Sequence, residues 1–348
     1  MRKCKHPVRS NLPTTVLFVS AMLSLGSFGA AVAADDVDTL RYGLDDEKNI
    51  SRLPQVVAQR KGLFEREGLN VEIVRLTSSF REPLPGAISV GEREAMRSGL
   101  VDMTRQQLPL LMNDYIEGDG GYIGVGLAAN NPMYFLAVRP DINSFDDLAG
   151  QTIAVTGPND GITLWTRELM ELHGLTSDEY ETTRIAGSGA RVNCLTSGEC
   201  AAAVLAQPAI FLALEAGNHS IGTTNEIGPR LYQFDIADPE WAAAKRGTVV
   251  KYLRATAAAS RYILDPANHE EIVAITMDYM EESEDRTRDM LSYFWQPEYR
   301  VLQDRAAFNM ENIEATIAIM AKYDFLAAPL PRADMYADPS YAIEADRQ

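Results

Sequence analysis

The chain has 348 residues, with 32 Lys and Arg against 49 Asp and Glu, which gives a formal net charge of -17. A protein this acidic is repelled by nucleic acid and by anionic lipid, so we expect neither as a partner. The length exceeds what a single hydrophobic core usually serves and predicts two lobes or domains.

The N-terminus has the layout of a secretory signal peptide. Four basic residues come first, an apolar run over 16–30 follows, and Ala31-Val32-Ala33 precede two aspartates. The run is shorter than the ~20 residues of a membrane span, so we expect cleavage after Ala33 and export to the periplasm, against the alternative of a membrane anchor. Cys4 precedes the apolar run and is not placed for lipidation. Without the four basic residues of the leader the net charge is -17 - 4 = -21.

The first half of the mature chain alternates strand and helix patterns. Period-two alternation predicts strands, and apolar residues at helical spacing predict helices, the first with Ser51 as its cap and Pro54 in its first turn. In chain order we predict a strand over 39–43, a helix over 53–60, a strand over 71–75, a helix over 86–98, a strand over 101–104, a helix over 107–115, and extended segments over 122–129 and 133–138.

The same alternation then starts again. In chain order we predict a strand over 151–155, a helix over 161–173, a strand over 180–185, a helix over 191–197, a strand over 201–205, and a helix opened by Pro208. A βαβαβ order that occurs twice predicts an α/β protein with two mostly parallel sheets, each flanked by helices.

The C-terminal third is almost entirely helical in pattern. The predicted helices cover 239–264, 268–280, 284–294 and 304–321. These segments contain too few strands for a third α/β unit, so we expect them to pack on the first lobe, with crossings near 130–134 and 228–238. We therefore divide the chain into a signal peptide (1–33), a first lobe (34–130 with 238–348) and a second lobe (131–237).

Several motifs occur in the order that a known family shows. Residues 53–73 read LPQVVAQRKGLFEREGLNVEI and fit the pattern P-x-x-x-A-x-x-x-G-x-F-x-x-x-G-L-x-V, and residues 143–155 fit S-x-x-D-L-x-G-x-x-I-A-V. Residues 96–103, 195–208 and 329–341 are similar to three further segments. The ordered set resembles the periplasmic binding proteins for sulfonates, nitrate and thiamine-precursor pyrimidines, the SsuA/NMT1-type group. One departure is Ala201, which stands where the family usually has Asp.

The resemblance implies a two-lobed periplasmic-binding-protein fold, type II-like, with mixed and mostly parallel sheets. It further implies a monomer that captures a small organic molecule without a cofactor and delivers it to the permease and ATPase of an ABC importer. The alternatives are a periplasmic sensor that presents its ligand to a receptor and, less well supported, an enzyme like the thiamine-pyrimidine synthases. The sequence contains no catalytic G-x-S-x-G, phosphate-binding G-x-x-x-x-G-K-[ST] or zinc-binding H-E-x-x-H, so we expect no enzyme and no metal site.

The ligand is expected beyond the carboxyl ends of the strands, where open α/β sheets bind ligands. The resemblance places the family's cleft at the same loops. The candidate ligand-binding residues are Asp45, Asn49, Arg52, Ser78, Arg105, Gln106, Asn131, Thr156, Asn159, Asp160, Gly161, Trp165, Ser188, Arg191 and Gln207. For Trp165, the core of the second lobe is the alternative position.

The charge of the ligand is open at this point. A helix that begins at Gly161 offers backbone N–H groups to an anion, although an Asn or Asp cap is the alternative. Arg105 and Arg191 come from different lobes and could clamp one anion between them. Acidic residues in the same loops would instead suit a cation, a polyhydroxyl compound or an amide; these are Asp45, Asp46, Glu47 and Asp160.

Two cysteines remain after the leader. An even pair in an exported protein favours a disulfide between Cys194 and Cys200, and two separate buried thiols are the alternative. The pair flanks Gly198, the predicted end of a helix.

Overall fold

The computed structural model describes residues 37–45, 49–76, 88, 90–118, 120–129, 131, 133–157, 160–228, 231 and 233–347. The predictions for the leader, Asp46, Glu47, Ser78, Asn159 and the side chain of Asp45 lie outside these residues. The described residues belong to one compact unit that begins at Val37. In this part of the chain, no helix combines the length and the apolar character that a membrane crossing requires.

The strands of the described residues form two five-stranded sheets. They are β1 (Asp38–Asp45), β2 (Leu69–Leu76), β3 (Met103–Gln107), β4 (Ile123–Ala129), β5 (Phe135–Val138), β6 (Thr152–Val155), β7 (Glu181–Arg184), β8 (Ala202–Leu205), β9 (His219–Thr223) and β10 (Gln233–Ala237).

The helices cover the faces of these sheets. They are α1 (Leu53–Arg60), α2 (Leu63–Arg66), α3 (Glu92–Arg97), α4 (Leu108–Ile116), α5 (Gly161–Leu172), α6 (Ser188–Ser197), α7 (Ala209–Glu215), α8 (Pro239–Ala244), α9 (Arg246–Leu264), α10 (His269–Met280), α11 (Glu284–Trp295), α12 (Met310–Lys322) and α13 (Ser340–Ala345).

The first sheet has the strand order β2-β1-β3-β10-β4. Strand β1 runs parallel to β2 and β3, whereas β10 is antiparallel to both β3 and β4. Strand β10 therefore returns to the first sheet after the chain has built the second. Because the domain prediction gave residues 131–237 to the second lobe, the pairing of β10 moves that boundary to a point before Gln233.

The second sheet has the order β7-β6-β8-β5-β9. Strands β6, β7 and β8 are parallel, and β5 is antiparallel to β8 and β9. In both sheets, one antiparallel strand separates a parallel group from an edge strand. The matching arrangement explains why the same βαβ pattern appears twice in the sequence.

The C-terminal helices pack on the first sheet, as the scarcity of strands in that region predicts. Buried side chains of α9, α10, α11, α12 and α13 share one apolar cluster with those of β1, β2 and β3. The second sheet has its own clusters on its two faces. Each sheet thus has its own core, although Leu164 of the second-sheet helix α5 packs in the first cluster, and we therefore treat the two as lobes.

Several elements differ from the sequence predictions. The helix predicted over 239–264 is two helices that meet at Lys245, whose backbone leaves the helical region (φ -111°, ψ 30°). The helix predicted over 304–321 begins only after Asn309, whose side chain caps the backbone N–H of Glu311. The helix predicted over 86–98 is described only as Glu92–Arg97. Strand β9 and strand β10 were not predicted.

Candidate functional site

The carboxyl ends of the two sheets meet at one contact. Gln107 ends β3, and its side-chain carbonyl accepts a hydrogen bond of 3.1 Å from the backbone N–H of Gly161, the first residue of α5. Helix α5 follows the loop at the carboxyl end of β6. Ligands of open α/β sheets bind at these ends, so the loops around this contact form the candidate cleft.

The side chain of Asp160 caps the N-terminus of helix α5. Asp160 has extended backbone angles and accepts a hydrogen bond of 2.9 Å from the backbone N–H of Thr163, and the hydroxyl of Thr156 donates to the same carboxylate. Burial raises the pKa of Asp160, although the hydrogen bonds from Thr156 and Thr163 oppose the rise. Two of the N-terminal backbone N–H groups of α5 thus donate to protein acceptors, Asp160 and Gln107. The Asp cap therefore describes this helix start better than an anion site does.

Arg105 lies in a buried polar cluster of the first lobe. Its side chain is 1 % exposed, and it stands opposite Asp235 in the pairing of β3 with β10. Asp235 accepts hydrogen bonds from the hydroxyls of Tyr42 (2.6 Å) and Tyr252 (3.3 Å). Burial raises the pKa of Asp235 to about 6, although the Tyr42 hydroxyl and the Arg105 charge oppose the rise. Arg105 is therefore the buried counter-charge of Asp235.

Arg52 and Arg105 also converge on a single hydroxyl. The Oγ atom of Ser51 accepts from Nη1 of Arg52 at 3.1 Å and from Nη1 of Arg105 at 3.3 Å. Ser51 lies in the turn between β1 and α1, at the carboxyl end of the first sheet. Two guanidinium groups therefore meet at one hydroxyl at this edge of the sheet.

Arg191 donates hydrogen bonds to other residues of the second lobe. It is 2 % exposed and donates to the carbonyl oxygens of Val204 (2.9 Å) and Ile185 (3.1 Å) and to the hydroxyl of Ser188 (3.2 Å). These contacts fix the start of α6 against the ends of β7 and β8. They oppose the predicted clamp of Arg105 and Arg191 on one anion, because both guanidinium groups have contacts within their own lobe.

Asn131 lies at the crossing between the lobes. Its Nδ2 atom donates to Oδ1 of Asn225 at 2.7 Å and to the carbonyl oxygen of Tyr299 at 2.9 Å. Asn225 follows β9 of the second sheet, and Tyr299 follows α11 on the first lobe. Asn131 thus has partners on both lobes, beside the crossing that the sequence predicts near 130–134.

The remaining candidates divide between the core and the cleft. Trp165 is fully buried in the core of the second sheet, which is the alternative stated for it. Gln106 donates to Asp114 (3.4 Å), and the Asn49 side chain accepts from the N–H of Ser51 (2.9 Å). Gln207 is buried just after the carboxyl end of β8.

The two cysteines are joined in the structure. Cys194 and Cys200 form a disulfide with their Cα atoms 5.4 Å apart. Gly198 lies between them in the left-handed region (φ 81°) and ends α6, a conformation that glycine adopts without strain. The disulfide links the end of α6 to the start of β8. Within the described ranges, no group of three or more His, Cys, Asp or Glu residues could hold a metal ion.

Comparison with known proteins gives one match by sequence family. A sequence model described as "NMT1/THI5 like" matches residues 49–269, more than half of the chain. The match begins after β1 and ends at the first residue of α10, so it includes β2 to β10. No curated protein sequence is significantly similar to this chain.

Several solved structures have the same fold. A ligand-binding component of an ABC-type import system from Staphylococcus aureus, solved with zinc bound, has a TM-score of 0.71 at 12 % identity, over 89 % of this chain and 100 % of that chain. The nitrate-binding protein NrtA of Synechocystis PCC 6803 has a TM-score of 0.70 at 13 % identity (90 % and 89 %). The aliphatic sulphonate-binding protein SsuA of Escherichia coli has a TM-score of 0.64 at 15 % identity (87 % and 92 %). The fold also occurs in the desulfurization enzyme DSZB.

Proposed function

Because the chain belongs to the NMT1/THI5-like family, we propose that it is the periplasmic ligand-binding component of an ABC importer. It captures a small organic molecule between its lobes and delivers it to the permease and ATPase. The observation that carries the proposal is the contact of Gln107 with Gly161, which brings the carboxyl ends of both sheets face to face. The lobes comprise residues 37–130 with 233–348, and 131–232.

The solute carries a negative charge in this proposal. The two guanidinium groups that donate to Ser51 at the carboxyl end of the first sheet support an anionic group on the first-lobe side of the cleft. On the second-lobe side, the polar groups are hydroxyls and amides at the strand ends, and they suit the rest of a polar solute. These groups belong to Thr156, Ser188 and Gln207, with Asn49 and Gln106 across the cleft.

A thermal-shift screen tests the ligand proposal. We expect at least one sulfonate, carboxylate or nitrate in a panel of anions, cations and neutral amides to raise the melting temperature. At a concentration of 100 Kd, a ligand stabilises the folded state by about 2.7 kcal/mol, which is roughly 4 °C for a chain of this size. Stabilisation by cations alone would contradict the anion proposal.

A matched pair of variants localises the effect. Arg52→Gln removes one guanidinium at Ser51 and should abolish the shift given by the anion. Arg60→Gln changes an arginine at the other end of α1, where its partner is the exposed Asp278, and should leave the shift intact. Equal shifts in the two variants would place the anion elsewhere.

Export and the disulfide are tested by one mass measurement. We propose that the leader is removed after Ala33 in the periplasm and that Cys194 and Cys200 stay bridged there. The intact mass of non-reduced protein from the periplasmic fraction should match a chain that begins at Ala34 and is two hydrogens lighter than the dithiol form. A full-length mass would contradict the cleavage. Two thiols that react with iodoacetamide before reduction would contradict the disulfide.

A periplasmic sensor would use the same cleft and is the second candidate. Reconstitution in proteoliposomes with the permease and ATPase encoded nearest to the gene separates the two. A solute-binding protein of an importer stimulates ATP hydrolysis when its ligand is present, whereas a sensor does not.

A further inference from the structure

Helix α5 contacts the first lobe along one of its faces. Gly161, Leu164, Glu168 and Glu171 are separated by three, four and three residues, which is the spacing of one helix face. Trp165, one turn after Gly161, borders this face and packs in the core of the second sheet. We call these four residues the closure face.

The first half of the closure face permits a close approach between the lobes. A Cβ atom on Gly161 would lie 2.8 Å from Oε1 of Gln107 and 2.3 Å from Cζ3 of Trp165, so no larger residue fits there without displacing its neighbours. Leu164, one turn further on, is fully buried and belongs to the apolar cluster of the first lobe although it lies on a second-lobe helix.

The second half of the closure face carries charge. Nζ of Lys322, at the end of α12, lies 2.7 Å from Oε1 of Glu168 and 2.6 Å from Oε2 of Glu171. The hydroxyl of Tyr323 donates to the same oxygen of Glu168 at 2.7 Å. Burial tends to raise the pKa of Glu171, but its hydrogen bonds with Lys322 and Tyr323 outweigh burial and lower it. The contact is therefore between ionised groups at neutral pH.

A cation–π contact adds to the same edge. The guanidinium of Arg167 lies over the rings of Tyr323 (5.7 Å) and Phe325 (5.2 Å). Arg167 is on the second-lobe helix, and both rings follow the first-lobe helix α12. The end of α12 is thus held from two sides, by carboxylates of α5 on Lys322 and by a cation of α5 on the rings.

We propose that the closure face of α5, with Gln107, Lys322 and Tyr323, is a latch that holds the two lobes together through protein groups alone. It rests on the proposed function only in assuming that the lobes open about a hinge. Because every contact of the latch is between protein atoms, it favours the closed arrangement whichever solute is present. The latch then sets the closed-to-open ratio, and with it the apparent affinity for a solute that binds the closed arrangement.

Double electron–electron resonance on the mature protein tests the latch without any solute. Spin labels on Glu65→Cys and Ser177→Cys report the distance between exposed sites of the two lobes, since the native cysteines are bridged. Lys322→Met, which breaks two interlobe ion pairs, should lower the closed-to-open ratio by roughly fivefold to tenfold. Gly161→Ala should shift the ratio in the same direction through a different contact.

Arg288→Met is the matched control, since it breaks two ion pairs inside the first lobe, with Glu270 and Glu284. It should leave the distance distribution unchanged, and a circular dichroism spectrum should show that every variant is folded. Unchanged distributions in both Lys322→Met and Gly161→Ala would overturn the latch, as would an open distribution in the wild type. If the ligand panel fails but the ratio shifts, the latch stands and only the transport proposal falls.

Discussion

Replacing Arg105 with methionine is expected to lower the free energy of unfolding by about 3–5 kcal/mol at neutral pH. Arg105 is buried beside Asp235, whose carboxylate is buried as well. Methionine fills similar volume but carries no charge, so the carboxylate loses the cation that compensates it in a low-dielectric environment. Urea denaturation followed by circular dichroism measures the loss.

Two further variants separate the charge effect from a packing effect. Arg288→Met removes an arginine from surface ion pairs and should cost far less than Arg105→Met, because solvent screens such pairs. The double variant Arg105→Met/Asp235→Asn has no buried charge at the pair and should recover more than half of the loss. If the double variant were as unstable as Arg105→Met alone, packing and not charge would explain the cost.

The sequence predicted those elements whose signals are local. Helix α1 occupies 53–60 as predicted, with Pro54 in its first turn, but Arg52 and not the predicted Ser51 is its N-cap residue. Helix α5 begins at Gly161 behind its Asp160 cap. Caps, first-turn prolines and apolar periodicity act within one or two turns of chain, so one sequence can report them. The α/β class, the two-lobed fold and the family resemblance followed from their order along the chain and are confirmed.

The strands that were missed depend on distant parts of the chain. Strand β10 contains the charged residue Asp235 between apolar residues. It lies inside the sheet because it pairs with β3 on one side and with β4 on the other. Strand β9 (His219–Thr223) is an edge strand, half-buried throughout, without the alternation that predicts strands. The local sequence of these segments indicates neither their pairing partners nor their burial.

The candidate site was predicted at the level of loops but not of individual roles. Arg105 follows a strand end in the sequence, yet its nearest counter-charge is on β10, far along the chain. Asn131 was predicted as a ligand-binding residue, and its side chain has hydrogen-bond partners on both lobes. The sequence indicated no role for Lys322, because its partners Glu168 and Glu171 lie on a helix of the other lobe. Such roles arise from tertiary contacts, and the ligand-binding roles of the remaining candidates stay predictions.

Asp235 is expected to make the stability of the protein depend on pH in a direction opposite to that of most carboxylates. Burial raises its pKa to about 6 in the folded protein, compared with about 3.9 for Asp in an unfolded chain. Between these values the folded state binds the proton more tightly, so the contribution of Asp235 to stability is largest below about pH 4. It decreases as the pH rises through about 6, by about 3 kcal/mol in total, and then stays constant.

The comparison of wild type with Asp235→Asn isolates this group, because all other carboxylates titrate in both proteins. Asparagine retains an oxygen that accepts from Tyr42 and Tyr252, but it has no charge to desolvate. Urea denaturation at intervals from pH 3.5 to pH 7.5 should therefore show the variant gaining about 3 kcal/mol relative to the wild type as the pH rises. A constant difference across this range would mean that Asp235 is ionised at little cost, and that Arg105 and the two tyrosines compensate its charge fully. The pH dependence of the difference in unfolding free energy thus shows whether ionisation of Asp235 costs stability or whether its neighbours compensate for the charge.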